Sequence, residues 1–197
     1  RVVRTPDALR PLGERAARVG FRHIRFNQDA HPQGGRYFVL EVNGRKVFAK
    51  GANWAPADMI FARCDRERYA RLLGLAREAH FNFFRINGCG IYENDAFYEL
   101  CDEAGIMVWQ DFPFTNIHYP FSDPVFLASV EHEARWNIRR LQSHPSLIVW
   151  CGNNEIEWGD WDWGYERSVR THPHYVLFHR DIPLIVKTED PSKFYWP

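Results

Sequence analysis

The sequence lacks the features that mark several classes of protein. Its 197 residues include 25 Lys and Arg and 25 Asp and Glu, so the formal net charge is zero. A protein that binds nucleic acid or an anionic membrane usually has a surplus of basic residues, and we therefore expect neither partner. No apolar run approaches the roughly 18 residues that a membrane-spanning helix needs. With 45% hydrophobic and 25% charged residues, the sequence is typical of a globular chain and not of a disordered one.

Cysteine is scarce as well. The spacings of the four cysteines are typical of neither a zinc site nor a small disulfide scaffold, so we predict free, mostly buried thiols. His172 and His174 have no carboxylate or Cys partner nearby in the sequence, and we predict no metal site there. The cysteines are Cys64, Cys89, Cys101 and Cys151.

The rest of the sequence alternates between strand and helix patterns. Asn43-Gly44 between two strand-like runs predicts a hairpin, because this pair tolerates the positive φ angles of a type I′ turn. Hydrophobic periodicity and capping residues then predict helices and strands in turn, with a loop at 158–172. The predicted helices are 65–79, 94–104, 123–141 and 174–187, and the predicted strands are 19–27, 38–42, 46–50, 81–86, 106–109, 147–151 and 194–196.

This alternation indicates βαβ units, a parallel sheet and an α/β fold class. Counted from Val47, the chain has four complete strand–helix units and the start of a fifth strand. A closed (β/α)8 barrel needs eight such units and about 250 residues. We therefore expect either part of a barrel or a smaller doubly wound sheet. The strand-like N-terminus fits the end of a preceding β domain.

The most informative stretch follows the predicted strand 147–151. That apolar run is typical of a buried parallel strand, and the polarity then changes abruptly at Asn153, Asn154 and Glu155. Catalytic residues of barrel enzymes lie at this end of the strands. An amide beside a carboxyl group suits sugar chemistry, because the amide can hold a hydroxyl while the carboxyl transfers a proton. Outside such a context, Glu155 would be an ordinary loop or capping carboxylate.

Four segments together resemble the catalytic barrel of the β-mannosidases in glycoside hydrolase family 2. They are residues 50–54 (Lys-Gly-Ala-Asn-Trp), 88–93 (Gly-Cys-Gly-Ile-Tyr-Glu), 108–112 (Val-Trp-Gln-Asp-Phe) and 150–155 (Trp-Cys-Gly-Asn-Asn-Glu). The resemblance runs from about Val19 to the last residue. It implies that residues 1–34 are the last strands of an immunoglobulin-like sandwich with a linker. It also implies that residues 35–197 are the N-terminal half of a (β/α)8 barrel.

The resemblance further implies retaining removal of a terminal β-linked mannose from an oligosaccharide or glycan, without a cofactor. Glu155, at the end of the fourth barrel strand, matches the general acid/base of the family. Asn154 matches the residue that binds the sugar 2-hydroxyl. The family's nucleophilic glutamate follows the seventh strand, so we expect it outside residues 1–197. The chain alone is therefore expected to be inactive.

Further candidates lie at neighbouring strand ends. Asp111 and Arg85 end two predicted strands and could face the pocket, or could form a purely structural ion pair. Trp54 and Trp163 could line the pocket or serve as buried anchors, and the resemblance places Trp163 at a platform for the leaving group. Weaker candidates in nearby loops are Trp161, His118 and Tyr119.

One position departs from the family pattern. Asn87 stands where the family usually has a Trp that shapes the mannose pocket, so the stacking surface is lost while polarity is kept. Other sugars therefore stay open: a β-glucosaminide, β-glucuronide or β-galactoside, or endo-action on a glycan. A non-catalytic carbohydrate-binding or structural fragment is the remaining alternative. Half a barrel would also expose two sheet edges, which predicts self-association.

Overall fold

The computed structural model describes residues 2–3, 11–13, 16, 18–117, 119–163 and 172–197. A five-stranded sheet forms its centre, with neighbouring strands in sequence order and every pair parallel. The strands are β6 (Gly51–Trp54), β7 (Phe83–Ile86), β8 (Met107–Asp111), β9 (Leu147–Cys151) and β10 (Phe194–Trp196). The sheet confirms the predicted partial barrel of four strand–helix units and a fifth strand.

Helices connect the parallel strands. None of those described is long and apolar enough to cross a membrane. A short 3₁₀ turn at Phe61–Arg63 precedes the first of them, and a π-helical segment at Leu177–Asp181 lies between the last two. The helices are α1 (Arg66–Glu78), α2 (Asp95–Ala104), α3 (Pro124–Leu141), α4 (Ile156–Asp162), α5 (Pro173–Val176) and α6 (Ile182–Glu189).

Local signals explain most helix ends. The Asp65 carboxylate accepts from the Arg68 N–H at the start of α1, and Gly105 ends α2 with a left-handed φ of 69°. Asn94 occupies the cap position of α2, but its side chain donates to the Cys64 carbonyl instead of capping the helix. The predicted loop 158–172 was wrong at its start, because α4 runs to Asp162.

Antiparallel strands precede the parallel sheet. β1 (Val2–Val3) pairs with β2 (Pro11–Gly13), and β3 (Ile24–Asn27), β4 (Val39–Val42) and β5 (Arg45–Lys46) form a three-stranded sheet. The predicted hairpin is confirmed, with φ of 51° at Asn43 and 74° at Gly44. Its second strand is shorter than predicted, and the first parallel strand begins at Gly51.

The domain boundary after residue 34 stays a prediction. β3 lies before this position and β4 after it, yet the two strands pair from Ile24–Val42 to Asn27–Val39. The strands on the two sides of the predicted boundary therefore belong to one antiparallel sheet.

The two faces of the parallel sheet have different partners. Phe84 and Ile86 are buried in the large core formed with the helices. Phe83, the first residue of β7, instead packs in a second apolar cluster with β3 and β4. In that cluster the ring of Phe26 stacks on Phe194, the first residue of β10, with centroids 4.6 Å apart. The antiparallel sheet therefore packs on the face of the parallel sheet that lies opposite to the helices.

Candidate active site

Asp111 is the last residue of β8, and its carboxylate organises the residues around it. Its carboxylate accepts from Arg85 Nε at 3.2 Å and Nη2 at 2.7 Å, from the Gly88 N–H at 3.0 Å and from Trp109 Nε1 at 2.8 Å. The Asp111 side chain has no exposed surface, so these donors replace the water it loses. Glycine is needed at 88, because a Cβ there would lie 1.9 Å from the Phe114 carbonyl oxygen.

Burial and pairing act in opposite directions on this ion pair. Burial raises the pKa of Asp111, while the hydrogen bonds from Arg85 and Trp109 oppose that rise. Burial alone would lower the pKa of Arg85, but Asp111 raises it above its usual value. Arg85 thus keeps its positive charge, and the structure also gives it an electrostatic interaction with Glu155.

Asn154 lies beside this pair. Its Oδ1 accepts from Arg85 Nη2 at 3.3 Å, and its Nδ2 donates to Thr115 Oγ1 at 3.2 Å and to Asn116 Oδ1 at 3.0 Å. The side chain is buried. The structure therefore brings together three predicted site residues, Arg85, Asp111 and Asn154, from the ends of β7, β8 and β9.

Glu155 follows at the entrance to α4. Its side chain is half-buried, and its backbone has a φ of 62°, which is uncommon for a residue with a Cβ. The Asn153 side chain accepts from the Ile156 N–H at 3.0 Å, and the Gly159 N–H donates to the Glu155 carbonyl at 2.9 Å. Asn153 and the first turn of α4 therefore hold the backbone of Glu155 in this conformation.

Sequence reasoning missed Asn116, which contacts Glu155 directly. Asn116 Nδ2 donates to Glu155 Oε2 at 3.1 Å. The loop after β8 reaches this place because Thr115 and Asn154 form a parallel bridge, with the Asn154 N–H donating to Phe114 at 2.9 Å. Only the position of Asn116 shortly after a strand end could have identified it from the sequence.

Comparison with known proteins decides which family this geometry belongs to. Residues 36–175 match the family described as glycosyl hydrolases family 2, TIM barrel domain. The chain belongs to glycoside hydrolase family 2. This finding confirms the predicted family and the partial barrel.

Individual relatives agree. The chain is 41% identical to a β-mannosidase of Mus musculus over 186 residues, and 37% identical to β-mannosidase B of Thermothelomyces thermophilus over 180 residues. Each match covers 91% of this chain, and 21% and 20% of those relatives. The chain therefore spans about a fifth of the length of the curated relatives that it matches.

Solved structures show the same likeness. The crystal structure of a β-D-mannosidase from Dictyoglomus thermophilum matches with a TM-score of 0.83 and 44% identity, over 91% of this chain and 22% of that one. A β-glucuronidase from Bacteroides uniformis matches with a TM-score of 0.67 but 23% identity, over 90% of this chain and 20% of that one. The second likeness shows the fold alone.

In this family 2 chain Trp54 does not lie with the candidate site residues. It pairs with Ile86 across the sheet and is buried among Tyr69, Phe84 and Phe97 on the helix side. Because alternate residues of a strand face opposite ways, this side is opposite to Arg85. The structure therefore places Trp54 in the core, away from Arg85, and its pocket role stays a prediction.

Trp54 also holds a buried carboxylate. Its Nε1 donates to Glu93 Oε1 at 2.9 Å, and the Tyr69 hydroxyl donates to the other oxygen of Glu93. Glu93 is 1% exposed, so the two donors replace its lost hydration. This cluster stabilises the packing of β6 against α1 and α2.

Two further candidates, Trp163 and Asn87, lie next to the ends of α4 and β7. Trp163 is 44% exposed at the end of α4, with its ring 6.1 Å from that of Trp158. Asn87 is half-buried at a turn in which its carbonyl accepts from the Gly90 N–H at 2.7 Å. Their roles in substrate binding stay predictions.

The three weaker candidates differ in how much of them the structure describes. The Tyr119 hydroxyl accepts from the Thr115 N–H at 3.0 Å, so Tyr119 supports the loop that carries Asn116. His118 and the side chain of Trp161 lie outside the described residues. Among the described residues, no group of three His, Cys, Asp or Glu is arranged to hold a metal ion.

Proposed function

We propose that the chain is part of a retaining exo-β-mannosidase that removes terminal β-linked mannose. The carrying observation is the position of Glu155, half-buried at the end of the fourth parallel strand and adjacent to the buried Asn154. The identity of 44% to a solved β-D-mannosidase supports mannose as the sugar.

In this proposal Glu155 acts first as an acid and then as a base. It gives its proton to the glycosidic oxygen as the bond from that oxygen to the anomeric carbon breaks and a nucleophilic carboxylate bonds to that carbon. It then takes a proton from the water that hydrolyses the glycosyl-enzyme, which restores both carboxyl groups. Carboxyl groups alone supply this chemistry, so the mechanism needs no cofactor.

The nucleophile belongs outside residues 1–197 in this account. Retaining enzymes place their two carboxyl groups about 5–5.5 Å apart. Asp111 is an unsuitable nucleophile, because four donors from Arg85, Gly88 and Trp109 engage its two buried oxygens. We propose instead that Asp111 fixes Arg85, and that Arg85 and Asn154 orient the sugar.

Two further residues complete the proposed pocket. Trp163 would support the leaving group with its exposed ring, and Asn87 would border the mannose site. Because Asn87 stands where the resemblance implies a stacking Trp, a different β-glycoside specificity is the second candidate function.

The test is hydrolysis of nitrophenyl β-glycosides of mannose, glucosamine, glucuronic acid and galactose by the full-length protein. A kcat/KM for the mannoside at least about 10-fold above the others would support the proposal, as one pocket contact of 1–3 kcal/mol gives discrimination of this order. Preference for another sugar would retain the mechanism and overturn the specificity, and Asn87→Trp would then be the first variant. No turnover of any sugar would favour a carbohydrate-binding or structural role.

We also propose that residues 1–197 alone are inactive and self-associate. β6 and β10 form the two edges of the parallel sheet, and unpaired edges of this kind favour association. Phe48, near one edge, is 81% exposed. Light scattering coupled to size-exclusion chromatography tests this, and a monodisperse monomer with turnover would contradict it.

A further inference from the structure

We propose that Asn116 is a positioning residue that aims the carboxyl group of Glu155 at the glycosidic oxygen. The inference rests on the proposed acid/base role of Glu155. Its basis is a chain of hydrogen bonds that runs from the Arg85–Asp111 ion pair through the amides of Asn154 and Asn116 to Glu155.

The contacts of Asn116 fix which way its amide points. Its Oδ1 accepts from Asn154 Nδ2 at 3.0 Å and also from the Thr115 hydroxyl. Two donors on the oxygen leave the Nδ2 hydrogens for the other side, where Glu155 Oε2 lies at 3.1 Å. A flipped amide would lose both donors, so the orientation that donates to Glu155 is strongly favoured.

The backbone supports the same assignment. Asn116 has a φ of 44°, a conformation that Asn tolerates better than most residues. Its N–H donates to the Asn154 carbonyl at 3.3 Å, beside the bridge between Thr115 and Asn154. The loop after β8 is thus joined to the segment after β9, and the Asn116 side chain is held next to Glu155.

Without Asn116, the Glu155 side chain would have no side-chain hydrogen bond to the described residues. A free glutamate samples several rotamers, and proton transfer requires one of them. Loss of the Asn116 amide should therefore slow reactions that depend on protonation of the leaving group. Reactions with a leaving group that departs unprotonated should hardly change.

The experiment compares two substrates in the full-length protein, 2,4-dinitrophenyl β-mannoside and phenyl β-mannoside. Asn116→Gly removes the side chain and suits the positive φ. Asn116→Ala also removes the side chain but accepts that φ less readily. Both should lower kcat/KM for the phenyl glycoside about 10-fold, as expected for the loss of one hydrogen bond that positions the proton-donating carboxyl group. The dinitrophenyl glycoside should change less than about 2-fold on the same grounds.

The control is Ile117→Ala, a neighbouring residue that is 62% exposed, for which both rates should match the wild type. Equal losses on both substrates, or no loss on either, would overturn the positioning role of Asn116. Glu155→Gln is measured alongside as a reference. If Glu155→Gln lowered kcat/KM equally for the two substrates, the acid/base assignment would be wrong, and the inference about Asn116 would fail with it.

Discussion

The guanidinium of Arg85 and the carboxylate of Asp111 form a two-point ion pair at the ends of adjacent parallel strands, with contacts of 3.2 and 2.7 Å. Arg85 is 31% exposed and Asp111 has no exposed side-chain surface. The pair therefore fixes the end of β7 to the end of β8 and presents the outer edge of the guanidinium to Asn154.

Arg85→Met should destabilise the protein by about 3 kcal/mol, because it leaves a buried carboxylate without its cation. Chemical denaturation of the full-length protein measures the change. The control is Arg66→Met, whose ion pair with Glu99 is about half-exposed on both sides and should contribute less than about 1 kcal/mol. Equal effects at the two positions would contradict the structural role of the pair.

Trp54→Phe should reduce stability without changing KM. The variant keeps most of the ring packing but removes the Nε1 donor to the buried Glu93, at a cost of about 1–3 kcal/mol. Trp136→Phe is the control, since Trp136 is 57% exposed, and should shift stability by less than about 0.5 kcal/mol. A several-fold rise of KM in Trp54→Phe would instead support a role of Trp54 in substrate binding.

One thiol should react in the native protein. Cys64, Cys101 and Cys151 are buried, and burial raises the pKa of Cys151 to about 12, whereas Cys89 is exposed. A disulfide reagent should label Cys89 within minutes and the other three only after unfolding. Among residues 1–197, more than one fast thiol would contradict the burial pattern.

Labelling Cys89 should also inhibit the proposed glycosidase activity of the full-length protein. Its sulfur lies 3.2 Å from Thr115 Oγ1, which in turn contacts Asn116 and Asn154. A bulky adduct would therefore intrude on the proposed site. Cys89→Ser should keep activity and resist the reagent, and inhibition that persists in Cys89→Ser would show that another residue is modified.

Glu189 should make stability depend on acid pH. Hydrogen bonds from Arg139 and Arg135 lower the pKa of Glu189 from 4.5 to about 2, and they join α6 to α3. A carboxyl group with a lowered folded-state pKa stabilises the fold above its unfolded pKa, so this contribution is lost as pH falls from about 4.5 towards 2. Glu189→Gln should flatten the dependence of Tm on pH in that window. An unchanged slope would contradict the assignment.

Much of the architecture was predictable because the hydrophobic periodicity and the capping residues indicated the same helices and turns. Asp65, Asp123 and Gly105 marked helix ends that the structure has, and Asn43-Gly44 marked the hairpin. The start of the first parallel strand was misplaced, because residues 46–50 continue the apolar pattern of a strand although residues 47–50 lie between β5 and β6. Sequence periodicity cannot show which of two sheets such a segment joins.

The candidate site was predictable only where a residue stood at or just after the end of a predicted strand. That rule selected Arg85, Asp111, Asn154 and Glu155, but it also selected Trp54, whose strand parity turns it towards the helices. This rule missed Asn116, because Asn116 reaches Glu155 only through the pairing of the loop after β8 with the segment after β9. Such pairing depends on tertiary geometry that a single sequence does not encode in any local pattern.

The central claim is that Glu155 protonates the leaving group, and a series of aryl β-mannosides with increasingly basic leaving groups tests it most directly. For Glu155→Gln in the full-length protein, kcat/KM should fall about 10²–10⁴-fold for the poorest leaving groups and little for the best, because general acid catalysis contributes at this scale. A uniform loss across the series, or near-normal hydrolysis of the poorest members, would contradict the account.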